Sequence, residues 1–276
     1  MGKKKKDIVI SIVIVIVSVL ICCFIVFINP AIYDYQCKTR VYKELEDSIT
    51  ESVLHANINI VTNTTTKSGS MVSSYNLGAS GVIFERKGNH YYALTASHVV
   101  SEKNSGEFII IPYGSPTYTE YSANSKTHIS LSEYYGQFAK AEVIYTDKTF
   151  DLAVIHFTSD RELAVLPIAE KNPDYQERIA VISNPDGEKF AKTYGEIKSK
   201  GLVEFWTSDG LPSNMVLQHS AYEAPGSSGG VVLNNSMEIV GVNIGGSTNF
   251  LGKFLSGAMI PSEQIQQFLS ESNLKE

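Results

Sequence analysis

Apolar and polar positions divide the chain into three stretches with different periods. From Ile8 to Ile28, 21 consecutive residues are apolar apart from Ser11 and Ser18. At about 1.5 Å per residue, a helix of that length spans a hydrocarbon core of roughly 30 Å. Val41, Leu45, Ile49 and Val53 then recur every four residues through a charged stretch, which predicts one apolar stripe on a short helix. In Asn57 to Thr66, Ile58 and Ile60 alternate with Asn before a polar run. Residues 29–66 are read as a stalk that passes into the first strand. Packing of its helix on the folded domain is the competing reading, and periodicity does not separate the two.

From about residue 71 the pattern becomes short β-type runs separated by turn residues. The runs are 81–84, 91–94, 108–111, 141–145, 152–155, 178–182, 202–205, 215–217, 231–233, 239–242 and 257–260. Pro185-Asp-Gly187 and Ser208-Asp-Gly210 punctuate them. Many short strands without alternating helices predict an all-β barrel or sandwich rather than βαβ units. Residues 113–138, rich in Tyr, Ser and Thr, read as a long loop. Ile265, Phe268 and Leu269 fall at helical spacing after Pro261, which predicts a short C-terminal helix.

Charge orients the N-terminal stretch. Lys3 to Lys6 place residues 1–7 in the cytoplasm as a basic tail, 8–28 as a transmembrane anchor, and residues 29–276 outside. The expected location is the cell membrane, single-pass, with the folded domain extracellular. A cleaved signal peptide fits less well, because the apolar run is long and Ile28-Asn29-Pro30 offers no small-residue site. Overall the chain is 43% hydrophobic and 19% charged, which suits a globular core. Without residues 1–7 there remain 19 basic and 28 acidic side chains, a net charge of about −9. So acidic a body lacks the electrostatic footprint of a nucleic-acid binder. Cys22 and Cys23 lie in the anchor and Cys37 is the one cysteine beyond it, so residues 29–276 form no internal disulfide.

Three segments carry candidate chemistry, in the order His, Asp, Ser. They are Ala93-Leu-Thr-Ala-Ser-His98, Phe150-Asp151-Leu-Ala-Val-Ile155 and Ala224-Pro-Gly-Ser-Ser228-Gly-Gly230. A serine hydroxyl becomes a useful nucleophile when a neutral imidazole accepts its proton. The imidazole needs a buried carboxylate to hold its tautomer and stabilise the cation that forms. Glycines beside the Ser let two backbone N–H groups converge on one spot, where an oxyanion would form. Each segment alone is as readily a structural His, a strand-ending Asp or a plain turn. Their joint order, with 53 residues from His98 to Asp151 and 77 from Asp151 to Ser228, is what singles them out.

Over residues 71–269 the chain resembles the trypsin-like serine proteases, nearest to bacterial HtrA/Deg-type enzymes and the glutamyl endopeptidases. The resemblance continues through Tyr194-Gly195-Glu-Ile197, Ile239 to Gly246 and Ala258 to Ser262. It implies two six-stranded antiparallel β-barrels, the C-terminal helix, and a protease domain over 67–276 with the site between the barrels. It further implies His98 as general base, Asp151 as its orienting carboxylate and Ser228 as nucleophile, with Gly226 and Ser228 N–H groups as oxyanion hole. Tyr222 would line the specificity pocket, and Asn243, Ile244, Gly245 and Gly246 would pair with substrate as an added strand. Ser227 stands where the family usually has Asn or Asp, and register favours Ser228 over it. Asn243 replaces the His that confers glutamate preference, and no carboxylate occupies position 222, although Glu223 is adjacent. A pocket for small or medium apolar side chains is expected.

The function expected is a membrane-anchored serine endopeptidase acting on extracytoplasmic proteins or peptides through an acyl-enzyme. A silent pseudoprotease serving as a surface binding module is the alternative, and an oxyanion hole formed only on ligand binding is a third. His55, His90, His128, His156 and His219 show no metal-ligand spacing, so no metal and no cofactor are expected. No PDZ-like segment follows residue 270, so regulation through one is not expected. No feature specifies the oligomeric state.

Overall fold

The computed structural model describes residues 13, 15–19, 42–68, 70–101, 106–125, 128–187, 189–206 and 213–272. The basic tail and most of the expected anchor lie outside them, and residues 13 and 15–19 are helical and exposed. Among the described residues no helix is long and apolar enough to cross a membrane. The chain divides into two compact units, Met1–Asp47 and Ser48–Glu276. In the first, residues 42–47 are helical and Leu45 is buried. The second begins earlier than the expected domain boundary at residue 67 and holds all the strands among the described residues. The last part of the expected stalk is therefore barrel: β1 runs Asn57–Ser68, with Ile58, Ile60 and Val61 buried. The helical turn Glu51–Leu54 before it buries Val53 and Leu54.

Strands β1, β2 (Ser70–Lys87), β3 (His90–Ala96), β4 (Glu107–Pro112), β5 (Lys140–Asp147) and β6 (Leu152–Thr158) close an antiparallel barrel in the order β1-β2-β3-β6-β5-β4. Its closure rests on β1, which pairs β2 along one edge and β4 along the other. Ala93 lies opposite Ile155 and Leu94 opposite Val154 across β3 and β6, the two pairs on opposite faces of the sheet and each residue fully buried. Burying a residue of this kind contributes roughly 1.5–3 kcal/mol.

The second sheet has seven strands in the order β8-β7-β11-β12-β13-β10-β9. They are β7 (Arg178–Ser183), β8 (Ala191–Glu196), β9 (Val203–Phe205), β10 (Asn214–His219), β11 (Val231–Leu233), β12 (Ile239–Thr248) and β13 (Phe254–Pro261). This departs from the expected six strands. A ring of six is joined by the bridge Ile197↔His219, with Lys198 N–H donating to the Gln218 carbonyl at 2.7 Å. Strand β9 is a seventh, added as a hairpin on β10. The core of this barrel includes Ile179, Val181, Ile197, Leu217, Val232, Val240 and Met259.

The expected loop at 113–138 contains two short helices, α1 (Tyr118–Asn124) and α2 (Leu131–Gly136). Each starts with a complete capping box, Thr117 with Glu120 and Ser130 with Glu133. Their apolar area comes from aromatics instead of aliphatics: Tyr134 and Tyr135 pack with Val61, Ile109 and Ile111, and Tyr75, Tyr118, Tyr121 and Phe138 cover them.

Helix α3 (Ser262–Glu271), N-capped by Pro261, buries Ile265 and Phe268. Phe268 stacks near Tyr145 and Phe150, with centroids 5.0 and 6.1 Å away, so the C-terminal helix buttresses the turn that carries Asp151. Phe268→Ala is expected to destabilise the Ser48–Glu276 unit by about 3–5 kcal/mol. Urea unfolding of the full chain measures this, and a loss below about 1 kcal/mol would show that the helix is not integral to the core.

Candidate active site

His98 sits in a 3-10 turn, Ser97–Val100, directly after β3, and Asp151 immediately precedes β6. Because β3 and β6 are paired with Ala96 opposite Leu152, the two residues meet at the same end of the barrel. Asp151 is 1% exposed and accepts twice from His98: backbone N–H at 2.9 Å and ring Nδ1 at 2.8 Å. With Nδ1 donating, Nε2 is the basic nitrogen of the neutral ring. Asp151 has φ of 50°, a left-handed conformation that Asp tolerates better than most residues. Its carbonyl accepts from Ser97 N–H at 3.0 Å, which pins the strained turn against the histidine turn.

Buried Asn214, at the start of β10, donates from Nδ2 to the Thr149 carbonyl at 2.7 Å and so ties this turn to the second barrel. No sequence signal marked Asn214. His98 and Ser228 share a cavity of about 140 Å³ whose other walls include Ile60, Gly78, Ala79 and Val99.

The two adjacent serines face different ways. Ser227 is buried; its Oγ accepts from Ala224 N–H and Ser183 Oγ, both at 3.3 Å. Ser228 is half-buried at the cavity with His98. In between, each peptide carbonyl of the turn is anchored. The Pro225 carbonyl accepts from Asp186 N–H at 2.8 Å, and the Gly226 carbonyl from Ser80 Oγ at 2.9 Å. The Ser227 carbonyl accepts from Gly230 N–H at 2.9 Å. Gly226 adopts φ of 103°, and a Cβ there would collide with the Asn184 carbonyl, so glycine is required. Among the described residues, the N–H groups of Gly226 and Ser228 have no hydrogen-bond acceptor.

Ser80 joins the barrels. From β2 its Oγ also accepts from Asn184 N–H at 3.0 Å and Asn184 Nδ2 at 2.9 Å. Its backbone N–H donates to the Ser228 carbonyl at 2.9 Å, and its carbonyl accepts from Thr95 Oγ1 at 2.7 Å.

A second cavity of about 280 Å³ adjoins the turn that carries Ser228, lined by Ala224, Pro225, Gly245, Gly246, Thr248 and Phe254 together with Glu223, Ser227 and Ser228. Tyr222 does not line it; half-exposed, it abuts Phe254 with centroids 5.4 Å apart. Phe254, missed in the sequence, is the aromatic wall. Gly245 and Gly246 belong to it, whereas Asn243 and Ile244 are buried, and the Asn243 side chain donates to Glu223 and to the Ser227 carbonyl. Beyond Val242, β12 has left β11 and pairs on one side with β13, so 244–248 present a free edge toward the cleft. Glu223, 6% exposed, is pushed above the usual carboxylate range by burial, an effect opposed by His219 and Asn243.

The model of the family described as "Trypsin-like peptidase domain" matches residues 79–242. The chain belongs to that family. Its curated relatives include the "Serine protease Do-like HtrB" of Bacillus subtilis, 26% identical over 196 residues, covering 70% of this chain and 38% of the relative. The "Serine protease Do-like HtrA" of the same organism is 28% identical over 169 residues, covering 59% and 32%. The "Probable periplasmic serine endoprotease DegP-like" of Chlamydia trachomatis is 29% identical over 157 residues, covering 54% and 30%. The chain thus spans less than two fifths of the length of these three relatives. Among solved structures, the inactive form of a mutant of Rv3671c from M. tuberculosis H37Rv superposes with a TM-score of 0.54 at 15% identity. That match covers 79% of this chain and 87% of the other, and it shows a shared trypsin-like double-barrel fold.

In this trypsin-like domain Ser80 is the polar hinge between barrels. Ser80→Ala leaves the Gly226 carbonyl and Asn184 N–H without their partner and is expected to cost about 1–3 kcal/mol. Thermal or urea unfolding tests it; unchanged stability would show that the seam relaxes onto other partners.

Proposed function

We propose that the chain is a serine endopeptidase, held at the membrane by residues 8–28, whose trypsin-like domain acts on extracytoplasmic proteins or peptides. The observation that carries the reading is the His98 ring, tied by Nδ1 to buried Asp151 and sharing one cavity with Ser228. In this mechanism Ser228 Oγ attacks the scissile carbonyl carbon while His98 Nε2 takes its proton. Asp151 keeps the tautomer and stabilises the imidazolium. The negative charge on the carbonyl oxygen is met by the N–H groups of Gly226 and Ser228. Collapse releases the amine, protonated by His98, and leaves an acyl-enzyme on Ser228. A water deprotonated by the same imidazole then hydrolyses the ester.

The free edge of β12 at Gly245 and Gly246 supports an extended substrate lying as an added strand. The residue before the scissile bond would enter the 280 Å³ cavity. Ala224, Pro225 and the Phe254 ring suit a small or medium apolar side chain there.

Fluorophosphonate labelling of the full chain in detergent tests the chemistry. Ser228→Ala and His98→Ala should abolish labelling and proteolysis, with rate losses on the order of 10⁴-fold or more, while Ser227→Ala should leave Ser228 labelled. Labelling that survives Ser228→Ala would overturn the assignment. The topology has its own check: protease added to intact cells should cleave within the Ser48–Glu276 unit. Protection of that unit in intact cells but not in lysed ones would reverse the orientation.

A further inference from the structure

The nucleophile turn is backed by a second histidine–carboxylate pair. His219, at the end of β10, is fully buried, and its Nε2 lies 3.1 Å from Oε1 of Glu223. The distance is within ion-pair range whenever the imidazole carries a proton on both nitrogens, and the alignment falls short of a hydrogen bond. The fold makes room for it. Gly257 on β13 stands opposite His219, and a Cβ there would collide with the imidazole. A buried carboxylate is costly unless charge and hydrogen bonds compensate it. Here the compensation comes from His219 on one oxygen and the Asn243 amide on the other.

Asn243 has two amide hydrogens and uses both. One goes to Glu223 Oε2, the other to the Ser227 carbonyl at 3.2 Å. That carbonyl belongs to the peptide whose N–H is Ser228's. In a planar trans peptide the C=O and N–H point in opposite directions. The Ser227 oxygen, held inward by Gly230 N–H at 2.9 Å and by the Asn243 amide, turns the Ser228 N–H outward, to the side of the cleft.

We propose that His219, Glu223 and Asn243 form a buried positioning relay that keeps the Ser228 N–H aimed at the oxyanion, so that side chains remote from the substrate set the strength of one of its two donors. The proposal rests on the endopeptidase reading. None of the three touches the reacting atoms: His219 fixes Glu223, Glu223 orients the Asn243 amide, and the amide fixes the peptide. A role confined to core stability would change the unfolding midpoint and leave turnover of the folded enzyme alone. A positioning role lowers kcat and spares KM, because the oxyanion exists only in the transition state.

The full chain in detergent, assayed with a fluorogenic peptide and a fluorophosphonate probe, decides between them. Asn243→Leu is expected to lower kcat and the rate of Ser228 labelling by about ten- to a hundredfold, with KM within about threefold, since removing an oxyanion donor outright costs about 10²–10³. Glu223→Gln keeps an acceptor for the Asn243 amide but loses the carboxylate that His219 faces, and should lower kcat less than Asn243→Leu does. A folded Asn243→Leu with wild-type kcat and labelling overturns the relay; Asn243→Ala, which only trims the amide, is read the same way should the leucine variant not fold. A Glu223→Gln loss as large as that of Asn243→Leu, with an unchanged unfolding midpoint, overturns it equally, because the acceptor is retained. A folded wild-type protein that the probe never labels at Ser228 sinks the endopeptidase reading itself, a result distinct from labelling that the variants leave unchanged.

Discussion

A peptide group can present its donor or its acceptor to a given side, never both, and the turn from Ala224 to Gly230 is built around that restriction. The Pro225 and Ser227 carbonyls are held inside, by Asp186 N–H and by Gly230 N–H with the Asn243 amide. The intervening Gly226 carbonyl is held by Ser80, and the Ser227 N–H closes back on the Ala224 carbonyl at 3.0 Å. Alternate peptides therefore face opposite ways, and the N–H groups of Gly226 and Ser228 end up on a common side. Such an array concentrates positive potential without any cationic side chain. The φ of 103° at Gly226 is the local cost of the alternation.

Both barrels are needed to hold those carbonyls. Ser80 comes from β2 of the first barrel; Asp186 follows β7, and Asn243 lies on β12 of the second. Ser80, Thr95, Asn184 and Asn243 form a buried polar seam. Apolar packing tolerates sliding, whereas a chain of directional bonds fixes register. The same logic places Asn214 between the Asp151 turn and β10. His98 and Ser228 ride on different barrels, so any shear between barrels would change their separation. The seam resists that shear.

Much of this was legible in the chain. Each of the eleven apolar runs falls on a strand, Leu202 alone preceding its own, and the two-residue period of Ile58 and Ile60 already marked β1, although charge and Thr-rich composition drew the domain boundary too late. The helices at 118–124 and 131–136 were hidden because their apolar faces are tyrosine. Thr117 with Glu120 and Ser130 with Glu133 were nevertheless present as capping-box spacings. His98, Asp151 and Ser228 stood out by order and context, and the choice of Ser228 over Ser227 rested on register alone; in the fold Ser227 is turned into the core. Ser80, Asn214 and Phe254 were invisible for a plain reason. A side chain that matters through a contact far along the chain carries no local pattern, and a serine in a strand looks like any other.

Glu223 shows most clearly why position in the sequence does not decide chemistry. One residue from the expected pocket-lining site, it could have made the cavity anionic and selective for basic side chains. Its side chain is only 2% exposed and is engaged by His219 and Asn243, so its charge is spent within the core. The cavity's apolar walls are Ala224, Pro225, glycine backbone and the Phe254 ring, and with the Glu223 side chain buried behind them they penalise a desolvated cation. The acidic surface acts differently, since the charge of the body attracts basic segments only within about a Debye length of 8 Å at physiological salt. Attraction at the surface and selection in the cavity are thus separate properties in the endopeptidase reading, the first set by exposed carboxylates and the second by how completely one carboxylate has been removed from view.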